Sequence, residues 1–340
     1  MKPLRFAVLG CGFWSRFQIA GWREVGGVEL AAIYNRTRAK AEAIAARFGV
    51  PAIYDDAEEL LKREQLDFVD IITSPETHGQ FVHLAARHGV PVTCQKPMAP
   101  DLPTAESMVR ACEEAGVPLL IHENWRWQHQ VRQLKRALDG PELGKPFRAR
   151  LTYSTAFPVF ENQPFLAELE RFILSDMGSH ILDTARFLFG EARSVYCQTR
   201  RVNPKIKGED VATVVMEMGD GVTVTCELSY ASPVERDCFP QTLALVECRD
   251  GSVELAPDYW IRVTKRGAGT HSARYAPPRY EWADPAYDVV HSSIVSCNAN
   301  LLCALRTGEP AETSGQDNLR TMRVVFGAYE SAATGQVVAL

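Results

Sequence analysis

Gly10 and Gly12 stand in the segment GCGFWS (10–15), between an apolar stretch and a helical one. In such a turn the first glycine permits a tight strand-to-helix connection and the second lets backbone approach a pyrophosphate, while the helix N-terminus offers unpaired N–H groups. Ser15 replaces the usual third glycine or alanine. The turn therefore predicts dinucleotide binding, and a nucleotide-free glycine turn is the alternative. The turn residues predicted to contact the cofactor are Gly10, Gly12, Phe13 and Trp14.

Asp176 and His180 interrupt a strongly apolar helical segment that runs from about residue 175 to 189. Their spacing of four residues places them on one helical face. Polar side chains in apolar surroundings need hydrogen-bonding partners, so a satisfied buried pair is one explanation. Asp183, one turn further on, is predicted to be a hydrogen-bond acceptor.

The end of the second predicted strand carries Asn35 and Arg36, where a carboxylate would select NAD by accepting from the ribose 2′-hydroxyl. The Asn35 amide can still bond a hydroxyl. Arg36 and Arg38 could receive the 2′-phosphate of NADP or face solvent. Both cofactors therefore remain open at this position.

The elements that position these residues alternate between strands and amphipathic helices from residue 5 to about 123. This alternation predicts an α/β fold with a doubly wound, mostly parallel sheet covered on both faces, a Rossmann domain over residues 1–123. The predicted strands are 5–10, 28–35, 51–54, 67–73, 90–95 and 117–123, with a helix at 37–49.

The pattern changes after Gln128, and residues 124–340 are predicted to form an α+β domain with an open, mostly antiparallel sheet. Turn residues at 219–221 and 250–251 favour hairpins there. Helices are expected at about 284–306 and 314–335, and they are free to pack back on the first domain. An open sheet needs a cover for its exposed face, which predicts a homodimer or homotetramer through that sheet.

The composition excludes several classes of protein. A net charge of -5 over 340 residues gives no field that would recruit nucleic acid or an anionic membrane. The nine cysteines form no C-x-x-C pair, and no residues have convincing metal-ligand spacing, so no metal is predicted. Without a signal-peptide pattern or a long apolar run, the expected compartment is the cytoplasm.

Three further segments resemble the glucose-fructose oxidoreductase, inositol dehydrogenase and MocA (Gfo/Idh/MocA) family. They read TSPETHGQFVHLAARHGVPVTCQKP (73–97), DMGSHILD (176–183) and SGQDNLRTMRVVFGAYESAATGQVV (314–338). The first is similar to the family's T-x-P…H segment followed by Glu-Lys-Pro, the second to its D-x-G-x-H-x-x-D helix, and the third to its C-terminal helix. Because these segments span essentially the whole chain, the resemblance implies an oxidoreductase that uses NAD or NADP.

The resemblance implies that Lys96, Asp176 and His180 form the polar site against the nicotinamide. Removing a hydroxyl proton while hydride leaves the carbon requires a base, for which His180 is suited, and a cation such as Lys96 to stabilise alkoxide character. Asp176 would bind a neighbouring substrate hydroxyl or tune the histidine. In the family the Lys-Pro peptide is commonly cis. Gln95 stands where the family usually has glutamate.

Further contacts are predicted on both sides of this site. Trp125 and Trp127 either stack on a sugar or fill the core. The residues predicted to bind cofactor are Asn35, Arg36, Thr73, Pro75, His78, Gln95 and Lys96, and those predicted to bind substrate are Lys96, Asn124, Arg126, Asp176 and His180.

The expected activity is oxidation of a hydroxyl of a sugar, sugar acid or polyol. The segments CQKPMAP and GCGFWSRFQ look most like those of pentose-oxidising members, which favours a pentose such as D-apiose, a lactone product, and NAD. One alternative is a lyase or oxidoreductase that retains its cofactor through a redox cycle. Another is a sensor that binds dinucleotide without turnover.

Overall fold

The computed structural model describes residues 2–340, which form two compact units. The first contains residues up to 124 together with 280–284 and 294–322, and the second contains 125–279, 285–293 and 323–340. Two parts of the stretch 124–340, residues 280–284 and 294–322, thus belong to the first unit. The hydroxyl of Thr313 donates to the carbonyl of Ile121 at 2.7 Å, which ties the returning segment to the first unit's sheet.

The first unit is built on a six-stranded parallel sheet with strand order β3-β2-β1-β4-β5-β6. The strands are β1 Leu4–Leu9, β2 Val28–Tyr34, β3 Ala52–Tyr54, β4 Phe68–Ile71, β5 Val92–Gln95 and β6 Leu119–His122. The helices of its N-terminal part are α1 Ser15–Val25, α2 Arg38–Phe48, α3 Ala57–Arg63, α4 Pro75–Arg87 and α5 Leu102–Ala115. The central strands are continuous apolar runs because both faces of the sheet are covered.

The core of the first unit contains one acidic side chain among aromatic ones. Phe6 of β1 stacks on Phe68 of β4 with ring centroids 4.9 Å apart, and Trp22 of α1 packs against both. The indole N–H of Trp22 donates to the carboxylate of Asp70 at 2.6 Å, and Gln18 donates to the same oxygen at 3.1 Å. One oxygen of the fully buried Asp70 thus accepts two hydrogen bonds, while its Oδ1 atom has no partner among the described residues.

The turn between β1 and α1 requires glycine at its first position. Gly10 has φ of 112°, and a Cβ there would lie 2.5 Å from the carbonyl oxygen of Ile72. The strand order reverses between β1 and β4, so this turn lies at the switch point where open α/β sheets bind ligands.

The second unit contains a nine-stranded mixed sheet with order β14-β13-β12-β11-β7-β10-β9-β8-β15. Its strands are β7 Pro146–Ser154, β8 Ala192–Arg200, β9 Val211–Met218, β10 Thr223–Ser229, β11 Leu243–Cys248, β12 Gly251–Ala256, β13 Trp260–Lys265, β14 Gly269–Arg274 and β15 Val338–Ala339. Both predicted hairpins are present, since β9 pairs with β10 and β11 with β12 in antiparallel fashion. Strands β7 and β10 are parallel.

The remaining helices include two long C-terminal ones. They are α6 His129–Asp139, α7 Val159–Asn162, α8 Ser179–Phe189, α9 Asp288–Thr307 and α10 Gly315–Thr334. Short 3-10 turns occur at Trp125–Trp127, Pro164–Glu168, Pro257–Tyr259 and Pro285–Tyr287. Within residues 2–340, no helix combines the length and apolar character needed to cross a bilayer.

The single helix expected from about residue 175 to 189 is divided. A π-helical turn, Leu174–Gly178, precedes α8, and Asp176 lies in that turn while His180 lies in the first turn of α8. Hydrophobic periodicity does not reveal such a turn, because one extra residue leaves the apolar pattern on either side intact. π turns inside helices occur frequently at functional sites.

Candidate active site

The predicted cofactor residues of the first unit lie at one edge of its sheet. Gly10 follows β1, Asn35 follows β2, Thr73 follows β4 and Gln95 ends β5. The carboxyl ends of parallel strands meet at the same edge, so the fold brings these four residues together. Pro75 begins α4 at this edge.

The start of α1 suits an anion. Its first turn carries no acidic residue, and no side chain caps it. The hydroxyl of Ser15, which stands where such turns usually have a third glycine or alanine, donates to the carbonyl of Gly12 at 2.7 Å. The serine side chain is thereby accommodated in the turn. A Cβ on Gly12 would meet nothing within 4 Å, so open space lies beside the backbone where a pyrophosphate would approach. Phe13 is half exposed, with the guanidinium of Arg16 4.6 Å from its ring centroid.

Asn35 braces the ends of β1 and β2. Its side-chain oxygen accepts the N–H of Cys11 at 3.0 Å, and its amide nitrogen donates to the carbonyl of Thr37 at 2.8 Å. Arg36 is exposed, and Arg38 pairs with Glu42 on the surface of α2. The amide that sequence reasoning assigned to the ribose thus also holds the loop in place.

Two buried polar atoms at this edge fit a bound dinucleotide. Among the described residues, the hydroxyl of Thr73 and the side-chain nitrogen of Gln95 have no hydrogen-bond partner. A buried donor without an acceptor is costly in a folded protein, and it often marks the place of a ligand. Hydroxyl and amide groups of a nicotinamide dinucleotide would supply these partners, so the residues present fit that cofactor.

His78 anchors the turn that carries Lys96. The Lys96–Pro97 peptide is cis, in agreement with the resemblance. The Nδ1 atom of His78 lies 3.2 Å from the carbonyl oxygens of both Pro97 and Met98, and Nε2 lies 3.1 Å from that of Thr73. Burial lowers the pKa of His78. Both ring nitrogens thus face backbone carbonyls, which suits a role in positioning the Lys96 turn, and the cofactor contact of His78 stays a prediction.

Asp176 and His180 belong to the second unit, where Trp125 is the neighbour of the imidazole. The Trp125 and His180 rings stack with centroids 4.4 Å apart and planes inclined by 22°. The Trp125 indole N–H donates to the hydroxyl of Thr242 at 2.9 Å. The sequence left open whether Trp125 stacks on a sugar or fills the core, and the structure shows it buried against the His180 ring.

Arg126 forms a buried ion pair with Asp183. Its Nε and Nη2 atoms donate to the two carboxylate oxygens at 2.7 and 2.5 Å, and Arg186 lies 3.7 Å from the same carboxylate. Asp183 is therefore the structural acceptor that its helical position predicts. This bidentate pair commits two donor atoms of a guanidinium that is only 5% exposed, and the substrate contact of Arg126 stays a prediction. Asn124, at the end of the first segment of the first unit, is buried.

Two tyrosines that sequence reasoning missed lie near Asp176. Tyr153 of β7 and Tyr230, just after β10, have rings 5.8 Å apart and share a hydrogen bond. Burial raises the pKa of both tyrosines, and the negative charge of Asp176 adds to this effect. They come from strands more than 70 residues apart, so no local motif could have revealed them.

The fold and these residues define an oxidoreductase that depends on a nicotinamide dinucleotide. No group of three or more His, Cys, Asp or Glu side chains in the described part of the chain is arranged to hold a metal ion. Residues 4–123 match the model of the oxidoreductase family with an NAD-binding Rossmann fold, and residues 131–254 match the GFO/IDH/MocA C-terminal domain.

Known proteins resemble the chain over its full length. D-apiose dehydrogenase of Paraburkholderia graminis is 43% identical, with 100% of this chain and 90% of the relative covered. D-apiose dehydrogenase of Rhizobium rhizogenes is 40% identical, with 99% and 98% covered. An oxidoreductase from Agrobacterium radiobacter, crystallised with NAD+, L-tartaric acid and magnesium, is 39% identical with a TM-score of 0.97, covering 99% of this chain and 98% of that one. The chain belongs to the Gfo/Idh/MocA family of oxidoreductases and is an NAD(P)-dependent dehydrogenase.

Proposed function

We propose that the protein oxidises D-apiose, or a closely similar pentose, to its lactone with NAD. The observation that carries this proposal is the identity of 43% and 40%, over nearly the whole chain, with two proteins named D-apiose dehydrogenase. The Agrobacterium radiobacter structure, which holds NAD+, supports the choice of NAD. When bound, NAD supplies the acceptor for the hydride that leaves the sugar carbon.

In this proposal Lys96, His180 and Asp176 act on the sugar. His180 takes the proton of the reacting hydroxyl, and the Lys96 ammonium stabilises the negative charge that develops on its oxygen. Asp176 accepts a hydrogen bond from a neighbouring hydroxyl and so orients the sugar. His78 keeps the Lys96 turn in place through its contacts with the carbonyls of Pro97 and Met98.

The cofactor would be held along the edge of the first sheet. The turn from Gly10 to Trp14 binds the pyrophosphate through backbone N–H groups, and Thr73 and Gln95 bond the cofactor with the two buried donors described above. Asn35 retains capacity for a ribose hydroxyl beyond its two bonds within the loop.

A screen of NAD and NADP reduction against aldoses, polyols and sugar acids tests the proposal. Reduction of NAD with D-apiose, at a kcat/KM well above that for hexoses and polyols, is the expected result. Tight NAD binding without reduction by any compound would contradict it and favour a sensor. Substrate conversion without release of NADH would instead indicate a retained cofactor.

We also propose that the protein forms a homodimer or homotetramer in the cytoplasm. The outer face of the second unit's sheet carries half-exposed apolar side chains, Val215, Leu243 and Leu245, among polar ones, and a second copy would cover them. None of the nine cysteines forms a disulfide within residues 2–340, which suits a reducing compartment. Light scattering after gel filtration tests the assembly, and a Leu245→Lys variant should shift the mass toward the monomer.

A further inference from the structure

A carboxylate and a phenol stand behind the π turn that carries Asp176. The carboxylate of Glu209 accepts the N–H of Phe172 at 3.2 Å and that of Leu174 at 3.1 Å. The backbone carbonyl of Glu209 accepts the N–H of Ile173 at 3.1 Å. Glu209 therefore satisfies three consecutive N–H groups at the start of the helical segment, which would otherwise be unpaired.

Tyr329 of α10 reaches the same turn from 154 residues away in the sequence. Its hydroxyl donates to Glu209 at 2.8 Å and accepts the backbone N–H of Ser175 at 3.1 Å. The Ser175 hydroxyl also lies 3.1 Å from it. Burial and the adjacent Glu209 charge raise the pKa of Tyr329, so the phenol keeps the proton that it donates.

These contacts act on the residue immediately before Asp176. The N–H of Asp176 is bonded to the carbonyl of Phe172 at 2.9 Å, so Phe172, Ser175 and Asp176 are linked within one turn. Because a π turn departs from the regular i→i−4 hydrogen-bond pattern of the α-helix, we expect its shape to depend on such outside partners. A shift of Ser175 would displace Asp176 and then the first turn of α8, which holds His180.

We propose that Glu209 and Tyr329 are positioning residues that hold the π turn so that Asp176 orients the sugar hydroxyl. The role of Asp176 toward the sugar rests on the proposed function. The hydrogen bonds from Glu209 and Tyr329 to the turn do not depend on it. Tyr329 never touches the sugar; it acts through the backbone of Ser175. The Glu209–Tyr329 pair thus sets the KM for the sugar, while binding of NAD to the first unit stays unaffected.

Tyr329→Phe is the decisive variant because it removes only the hydroxyl. Losing a hydrogen bond that orients a substrate-binding group should raise the KM for the sugar roughly 10-fold, with the dissociation constant of NAD unchanged. Glu209→Gln should raise this KM further. Tyr196→Phe is the matched control, since that hydroxyl bonds the side chain of Gln198 on β8 and should leave KM unchanged. A wild-type KM in Tyr329→Phe, with kcat lowered only in proportion to unfolded protein, would overturn the proposal.

Hydrogen exchange gives a second readout that needs no activity. Amides in the segment 172–178 should exchange faster in Tyr329→Phe than in the wild type, and Tyr196→Phe should leave that segment unchanged. Unchanged exchange in Tyr329→Phe would contradict the proposed positioning. If none of the sugars tested supports NAD reduction by the wild-type protein, the proposed function fails. The exchange experiment still decides whether Tyr329 holds the turn.

Discussion

The indole of Trp125 lies flat on the imidazole of His180, with centroids 4.4 Å apart and planes 22° from parallel. The indole N–H of Trp125 donates a hydrogen bond to the Thr242 hydroxyl, so the tryptophan ring is itself fixed. One face of the imidazole is therefore occupied by protein, which restricts the ring to one plane. A base held in one orientation loses less entropy when it takes a proton from a bound hydroxyl.

Trp125→Phe tests this relationship. The smaller ring lacks the N–H bonded to Thr242 and covers less of the imidazole, so we expect kcat to fall roughly 10-fold. Trp260→Phe is the control, because that indole is 37% exposed on β13. Steady-state kinetics of both variants should separate them. Equal activities would show that stacking on His180 contributes nothing to turnover.

Lys96→Ala should lower turnover by orders of magnitude and leave NAD affinity nearly intact. Removing a charge that stabilises the developing alkoxide costs several kcal/mol in the transition state and little in cofactor binding. NAD binding followed by fluorescence, alongside stopped-flow reduction, measures both effects. Lys62→Ala, which removes an exposed partner of Glu58, should behave as the wild type. Turnover close to the wild-type value in Lys96→Ala would refute the site assignment.

Asp183→Asn should destabilise the second unit strongly. The carboxylate is fully buried between the guanidinium groups of Arg126 and Arg186, and breaking such a pair leaves uncompensated buried charge, at a cost of about 3–5 kcal/mol. Urea unfolding followed by circular dichroism measures the change. Asp139→Asn is the control, because that carboxylate is exposed where it pairs with Lys135, and its loss should cost under about 1 kcal/mol. A similar small cost for Asp183→Asn would contradict the interpretation.

Asp70 should make the stability of the first unit depend on pH. Burial raises its pKa from 3.8 to about 6, and hydrogen bonds from Trp22, Thr93 and Gln18 offset part of the rise. The folded state thus favours the protonated acid, so its contribution to stability is fully present below pH 4 and is lost as the pH rises through 6.

Asp70→Asn should therefore remove this decline. The amide is neutral at every pH and can still accept from Trp22, so its stability relative to the wild type should grow by roughly 2 kcal/mol between pH 4 and 7. Urea titrations across this range measure the difference. Asp55→Asn, at an exposed carboxylate in the same unit, is the control for the substitution itself. A flat difference for Asp70→Asn would show that burial does not raise the pKa of this carboxylate.

Much of the fold could be predicted because it depends on local patterns. Alternating apolar runs and helical periodicity located all six strands of the first sheet to within two residues, and the turn residues at 219–221 and 250–251 located both hairpins. A short glycine motif predicted the roles of Gly10 and Gly12, and the family resemblance of short segments predicted those of Lys96 and the Asp176–His180 pair. In each case the information lies in residues that are neighbours in the chain.

The sequence alone thus determined the class of fold, and it predicted the edge of the sheet for the cofactor and the side chains that we propose to react. Only the tertiary structure decided the partners of those side chains. His78 contacts the backbone carbonyl of Pro97, next to Lys96. Arg126 pairs with Asp183, and Trp125 stacks on His180. The physical reason is distance along the chain: Glu209 and Tyr329 meet the Asp176 turn across 35 to 154 residues, and no local spacing records such contacts.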